Sequence, residues 1–265
     1  MRFCSLASGS SGNCYYIEDS GYGILIDAGI STKNIKKRLK DIDVDINRLW
    51  GVLVTHNHYD HVASVGTLGE IYCIPIYSTQ KILTGINEHH KITQKLYQNK
   101  RPINLGEAFQ IGSFTITAFK VEHDTPECVG YYIETANSSL FIATDLGQMN
   151  DVAANYLTKA QNIVIEANYD EEMLKQGRYP EMLKERIASG HGHLSNKKTA
   201  YALAENFHEK LSYVWLCHLS EENNHPELAR KTLESVLRSY GIIAGVDFKL
   251  EVLRRKIPTG PFSLT

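Results

Sequence analysis

The chain has 265 residues, 43% hydrophobic and 22% charged, with a formal charge of −2. That balance is ordinary for a soluble globular protein, and it excludes adhesion to nucleic acid through a global basic field. The five cysteines (Cys4, Cys14, Cys73, Cys128, Cys217) are scattered and form no CxxC, which points to reduced thiols rather than a disulfide framework or a cysteine-based zinc site.

In chain order, short β-rich segments come first, at Phe3–Ala7, Tyr15–Glu18 and Gly23–Asp27, separated by Gly and Ser turns. A charged helix follows over Ile35–Lys40, then a strand, Leu49–Thr55, that runs straight into a group of histidines. A helix is expected after His61, a strand at Ile74–Ser78, and a polar helix over Gln80–Leu96. Strands return at Phe114–Lys120, Val129–Glu134 and Leu140–Thr144, and again, each after a helix-like segment, at Ile163–Glu166 and Val214–Cys217. Lys197–His208 has amphipathic helical spacing, with Ala200, Leu203, Ala204 and Phe207 on one face. Pro226 opens a helix that runs to about Tyr240 and stops at Gly241.

Strands followed by helices, twice over, imply two βα layers packed sheet on sheet with helices outside. No linker, repeat or low-complexity run divides the sequence, so residues 1–265 are read as a single domain. No basic segment precedes a long apolar run at Met1, and no stretch approaches the roughly 18 apolar residues of a membrane span. The expected location is the cytoplasm.

The segment Val54-Thr55-His56-Asn57-His58-Tyr59-Asp60-His61 carries four ligand-type side chains in six residues. In an extended chain His56 and His58 project to the same side. A helix starting near Asp60 would turn that carboxylate and His61 inward beside them, so one short loop can serve two adjacent metal ions. Imidazole with carboxylate suits zinc, manganese or iron better than calcium. His123, Asp145 and His218 each lie just past an apolar strand, where sheet-based sites collect their ligands.

These residues resemble the motifs of the metallo-β-lactamase superfamily along the length of the chain. The resemblance implies an α/β fold of αββα type, two central mixed sheets flanked by helices. Asp27, in Leu25-Ile26-Asp27-Ala28-Gly29, matches the first motif, a carboxylate supporting the metal loop. By the same resemblance His56, His58 and His123 would hold one divalent ion (Zn²⁺ or Mn²⁺), Asp60, His61 and His218 a second, and Asp145 would bridge them.

Two further segments narrow the resemblance. Gly192-His193-Leu194-Ser195-Asn196 followed by His218-Leu219-Ser220 is similar to the end of ribonuclease Z. Together with Ser8-Gly9-Ser10-Ser11-Gly12-Asn13 and Glu166-Ala167-Asn168-Tyr169-Asp170, they resemble the YycJ/WalJ-like branch, whose members are regarded as 5′→3′ exonucleases on DNA. The long β-CASP insertion and the ribonuclease Z arm are not evident in this sequence.

The implied activity is that of a metal-dependent phosphodiesterase with a nucleic acid substrate, DNA before RNA. The alternative is a thioester hydrolase of the glyoxalase II kind. Two cations roughly 3.5–4 Å apart would share a water and lower its pKa toward about 7. Asp60 would orient that nucleophile, Asp27 would fix a ligand histidine, and His193 would serve the leaving oxygen. Ser10 and Asn13 are candidates for a phosphate-binding turn, Asn168, Tyr169 and Ser195 for lining the substrate cleft, with Tyr169 stacking on a base. The basic runs Lys36–Lys40 and Arg254–Lys256 are read as solvated faces, and His191 is left without a role.

Overall fold

A computed structural model describes residues 1–264. The strands, in chain order, are β1 (Arg2–Ala7), β2 (Cys14–Asp19), β3 (Tyr22–Ile26), β4 (Leu49–Leu53), β5 (Ile76–Ser78), β6 (Lys100–Pro102), β7 (Ala108–Ile111), β8 (Phe114–Val121), β9 (Cys128–Glu134), β10 (Ser139–Ala143), β11 (Asn162–Glu166), β12 (Tyr213–Cys217), β13 (Lys249–Val252) and β14 (Thr259–Ser263). They form two seven-stranded sheets, ordered β14-β1-β2-β3-β4-β5-β6 and β13-β12-β11-β10-β9-β8-β7. The expected αββα arrangement of two mixed sheets between helices is what the chain adopts.

Within the first sheet β3 to β6 run parallel. Within the second β10 to β13 run parallel, and β8 shares their direction because it is antiparallel to β9, which is antiparallel to β10. The carboxyl ends of β3, β4, β8, β10, β11 and β12 carry the residues described below, the position at which parallel sheets present loops for chemistry.

One apolar core lies between the sheets and includes Phe3, Leu25, Val52, Ile133, Val164 and Trp215. The Phe3 and Trp215 rings meet across it at 4.7 Å. A second core joins the outer face of the second sheet to α5 (Asp151–Leu157), α8 (Asn196–Glu205) and α9 (Pro226–Ser239) through Ala153, Leu157, Leu203, Leu233 and Leu237. Parallel strands buried on both faces require this continuous apolar sequence.

Local signals set the helix ends. α1 (Thr32–Lys40) starts where the Ser31 hydroxyl accepts the Asn34 N–H and ends in Lys37, Arg38 and Lys40, which favour the negative end of the helix dipole. α9 begins at Pro226 and is followed by Gly241 at φ +79°, a left-handed stop that costs glycine nothing. The helix expected over Gln80–Leu96 is shorter: α4 spans Gln80–Glu88. Beyond it the Asn87 side chain bonds both the N–H and the carbonyl of Leu96, giving the backbone partners outside a helix. α8 likewise stops at Glu205, short of the expected His208.

After β4 the chain makes a short helix, α2 (Tyr59–Val62), with His58 at its cap, and then α3 (Val65–Glu70). Between β11 and α8 lie α6 (Glu171–Gln176) and α7 (Glu181–Ala188); α7 buries no residue. Among the described residues no helix is long and apolar enough to cross a membrane, and all five cysteines are free, Cys73 alone being exposed.

Candidate metal centre

The loop after β4 delivers the four ligand-type residues as their spacing suggested. His56 and His61 are fully buried. Their rings lie 4.1 Å apart, and His56 lies 4.7 Å from His58 and 5.1 Å from His123. Four overlapping sets of potential ligand atoms fall within 4.8 Å of one another: His56, His58 and His123; His56, His61 and Asp145; Asp60, His61 and His218; Asp145, Glu166, His193 and His218. Side chains separated by up to 162 positions, from His56 to His218, are thus gathered at the shared edge of the two sheets.

The rings are held from behind. Asp27, wholly buried, accepts His61 Nδ1–H at 2.7 Å and the Thr55 N–H at 2.8 Å. The Thr55 hydroxyl donates to Asp27 at 2.8 Å and accepts His56 Nδ1–H at 3.0 Å. The Gly192 carbonyl accepts His123 Nδ1–H at 2.9 Å. Such partners fix the tautomer and leave Nε2 of His56 and His123 free to point into the cluster. Asp27 and His218 both hold left-handed backbone, at φ +58° and +53°, a conformation that costs a side chain about 1 kcal/mol or more.

Electrostatics follow from this crowding. Burial, reinforced by the neighbouring imidazoles, holds His56 well below the usual histidine range. His61 goes the other way: burial opposes its proton, but Asp145, Asp27 and Asp60 together carry it well above that range. Asp145 is held well below the carboxylate range because His218 and His61 outweigh its desolvation.

The donor atoms fit divalent cations. Nε2 of His56, His123 and His218 and Oδ2 of Asp145 are buried without a hydrogen-bond partner. Asp145 Oδ2 lies 3.2 Å from His61 Nε2, and Asp145 Oδ1 3.6 Å from His123 Nε2, close enough for attraction but not aligned for hydrogen bonds. Buried polar atoms are rarely left so, and a cation satisfies imidazole nitrogens and carboxylate oxygens together. His61 Nε2 differs, since the Asn13 amide meets it at 2.9 Å.

Glu166, at the end of β11, was given no role from the sequence although it stands at the kind of strand end used to find Asp145 and His218. It is fully buried and accepts His193 Nδ1–H at 2.7 Å and His218 Nδ1–H at 2.9 Å. His193 therefore stands beside the cluster, its ring 5.0 Å from His123 and 5.4 Å from His218. Burial disfavours its proton, yet the Glu166 carboxylate raises its pKa above the ordinary histidine value.

Of the five expected substrate residues, Asn13, Asn168 and Ser195 bond to protein groups. Asn13 is buried against His61 and the Tyr15 hydroxyl. The Asn168 amide donates to the His218 carbonyl at 2.9 Å. Ser195 caps α8 and donates to Glu171 at 2.9 Å. Tyr169 is only 3% exposed and lines a cavity together with Glu171, Leu174 and Lys198. Ser10 is exposed on its turn. The basic runs are not wholly solvated either. Arg38 donates to the Leu6 carbonyl at 2.7 Å, and Arg255 donates to the carbonyls of Leu219 and Asn224, each at 2.9 Å, and to that of Ser220. His191 is 68% exposed and 3.6 Å from Glu122, at the margin of the cluster.

Fold and cluster together define a metal-dependent hydrolase of the metallo-β-lactamase class, and comparison with known proteins agrees. The family model described as a Beta-lactamase superfamily domain matches residues 22–214. The chain is 34% identical over 259 residues to the exodeoxyribonuclease YycJ of Bacillus anthracis, covering 98% of this chain and 97% of that one. It is 36% identical over 251 residues to the exodeoxyribonuclease WalJ of Streptococcus pneumoniae, covering 94% and 93%. Among solved structures, the metallo-β-lactamase fold protein YhfI of Bacillus subtilis superposes with a TM-score of 0.72 at 17% identity, over 97% of this chain and 98% of that one. The chain belongs to the metallo-β-lactamase superfamily and, within it, to the YycJ/WalJ group. Divalent metal use comes with that membership.

Proposed function

We propose that the protein is a cytoplasmic 5′→3′ exonuclease on DNA, its 265 residues forming one hydrolase domain, and that it works with two divalent ions, Zn²⁺ or Mn²⁺. The observation that carries the reading is the set of unpartnered buried donors on His56, His123, His218 and Asp145, turned toward one another from both sheets. The names borne by the YycJ and WalJ relatives supply the substrate class. Five free thiols suit a reducing compartment.

In this reading His56, His58 and His123 hold one ion, Asp60, His61 and His218 the other, and Asp145 lies between. Bound there, the ions supply Lewis acidity, acidifying water and neutralising charge on phosphoryl oxygens. The chain's own groups do the rest. Asp27 and Thr55 hold His61 and His56 in one tautomer. Asp60, 26% exposed at the mouth of the cluster, orients the attacking water. Glu166 fixes His193 through Nδ1, which turns Nε2 of that ring to the leaving oxygen, where it donates a proton.

The test is incubation of the purified protein with end-labelled DNA and RNA and with a thioester panel, each with Mn²⁺ or Zn²⁺. Stepwise release of nucleotides from the 5′ end of DNA is expected, and EDTA should abolish it. Thioester turnover without cleavage of nucleic acid would overturn the reading in favour of a glyoxalase II-like hydrolase.

A further inference from the structure

Beside the metal loop lies a cavity of about 680 Å³ that none of the roles above uses. Its walls come from two places. Asn57, the residue between His56 and His58, and Pro126 and Glu127, which follow His123, form the side next to the cluster; Thr84, Glu88 and His89 of α4 and its end form the other. The two sides touch closely at one point, where a Cβ on Gly85 would fall 2.5 Å from the Asn57 amide nitrogen. A side chain there would push the Asn57 amide aside, so glycine lets α4 seat closely against that residue.

Planar groups line the approach. Tyr59, on α2 between His58 and Asp60, is 43% exposed. Its ring lies 5.9 Å from that of His89, which in turn is 5.1 Å from and within 10° of parallel to His90. Lys91 places its ammonium 5.5 Å from the Tyr59 ring. The cavity wall carries the carboxylates of Glu88 and Glu127 together with Lys81, and Lys91 adds a second cation at the rim. Carboxylates repel a phosphate but accept hydrogen bonds from the exocyclic amino groups of bases. A planar, sequence-tolerant platform with a cationic rim is how single-stranded nucleic acid is gripped.

We infer that this cavity is a nucleobase subsite, taking the base of the nucleotide next to the scissile phosphate while Tyr59 and His89 stack on it and Lys91 meets the adjoining backbone. The inference rests on the nuclease reading and names the part of the substrate that this side of the centre holds.

A single-stranded oligodeoxynucleotide with phosphorothioate linkages and terminal 2-aminopurine reports stacking by fluorescence quenching in the Mn²⁺-loaded protein. Quenching is expected with the native protein and with Tyr59→Phe, and should be lost with Tyr59→Leu and His89→Ala. On ordinary DNA these two losses should appear as a rise in KM of about tenfold, with kcat changed less than about twofold. The ratio of DNA to bis(p-nitrophenyl) phosphate turnover should fall by about the same factor. Persistent quenching in Tyr59→Leu, equal damage by Phe and Leu, or an unchanged ratio overturns the subsite. A native protein that quenches the probe yet cleaves no DNA sinks the nuclease reading and leaves the subsite standing.

Discussion

Glu166 receives four hydrogen bonds, from the imidazoles of His193 and His218 through one oxygen and from the N–H groups of Leu146 and Leu194 through the other. An amide offers a single accepting oxygen, so Glu166→Gln must turn an NH₂ toward one of those pairs. The expected result is a fall in kcat/KM of about 10–100-fold with the fold intact, read by steady-state kinetics alongside circular dichroism. Unaltered kinetics would remove Glu166 from the positioning of His193. At this scale the sequence was uneven in what it revealed. His56, His58, Asp60 and His61 could be found because their spacing has almost no other use. The protein partners of Asn13, Asn168 and Ser195 were not legible, because a polar side chain looks the same in sequence whether it meets solvent or a buried carbonyl.

At the scale of elements, the loop after α4 hangs on Glu70, whose carboxylate accepts the N–H groups of Tyr97 at 2.8 Å and Gln98 at 3.0 Å. Those backbone bonds, Tyr97 foremost, hold its pKa below the ordinary glutamate value. The native state therefore binds its proton less readily than the unfolded chain does. The stabilisation is complete above the unfolded pKa and fades as pH drops through the folded one. Amide protection factors at Tyr97 and Gln98 should accordingly collapse in mild acid, and in Glu70→Ala they should be low at every pH; protection indifferent to both would contradict the account. Arg255 is the corresponding tie for the His218 loop, and Arg255→Met, which frees three carbonyls, should lower unfolding free energy by about 1–3 kcal/mol in a urea titration.

The strands that sequence patterning located are those buried on both faces, such as β9, β10 and β11. It passed over β6, β7, β13 and β14, which are short and partly exposed. These four occupy the sheet ends, where one neighbour is missing and few apolar residues are required.

For the whole molecule, the cluster draws His56, His58, Asp60 and His61 from the first sheet and His123, Asp145 and His218 from the second. Cations held there would clamp one sheet to the other. Removing them with a chelator should lower Tm by several degrees, since a ligand at 1,000 times its Kd contributes about 4 kcal/mol to the folded state. Calorimetry with and without EDTA measures this, and coincident traces would rule out binding across the interface.

The pairing of β14 with β1, Phe3 opposite Phe262 and Arg2 opposite Ser263, has a consequence for biogenesis. β1 is synthesised before β14, so its outer edge stays uncovered until β14 is made. The ligand-type residues from His56 to His218 are all made before β14. A nascent chain arrested shortly before residue 259 thus carries every ligand-type residue while the outer edge of β1 is still bare, and it should yield a species prone to aggregate through β1.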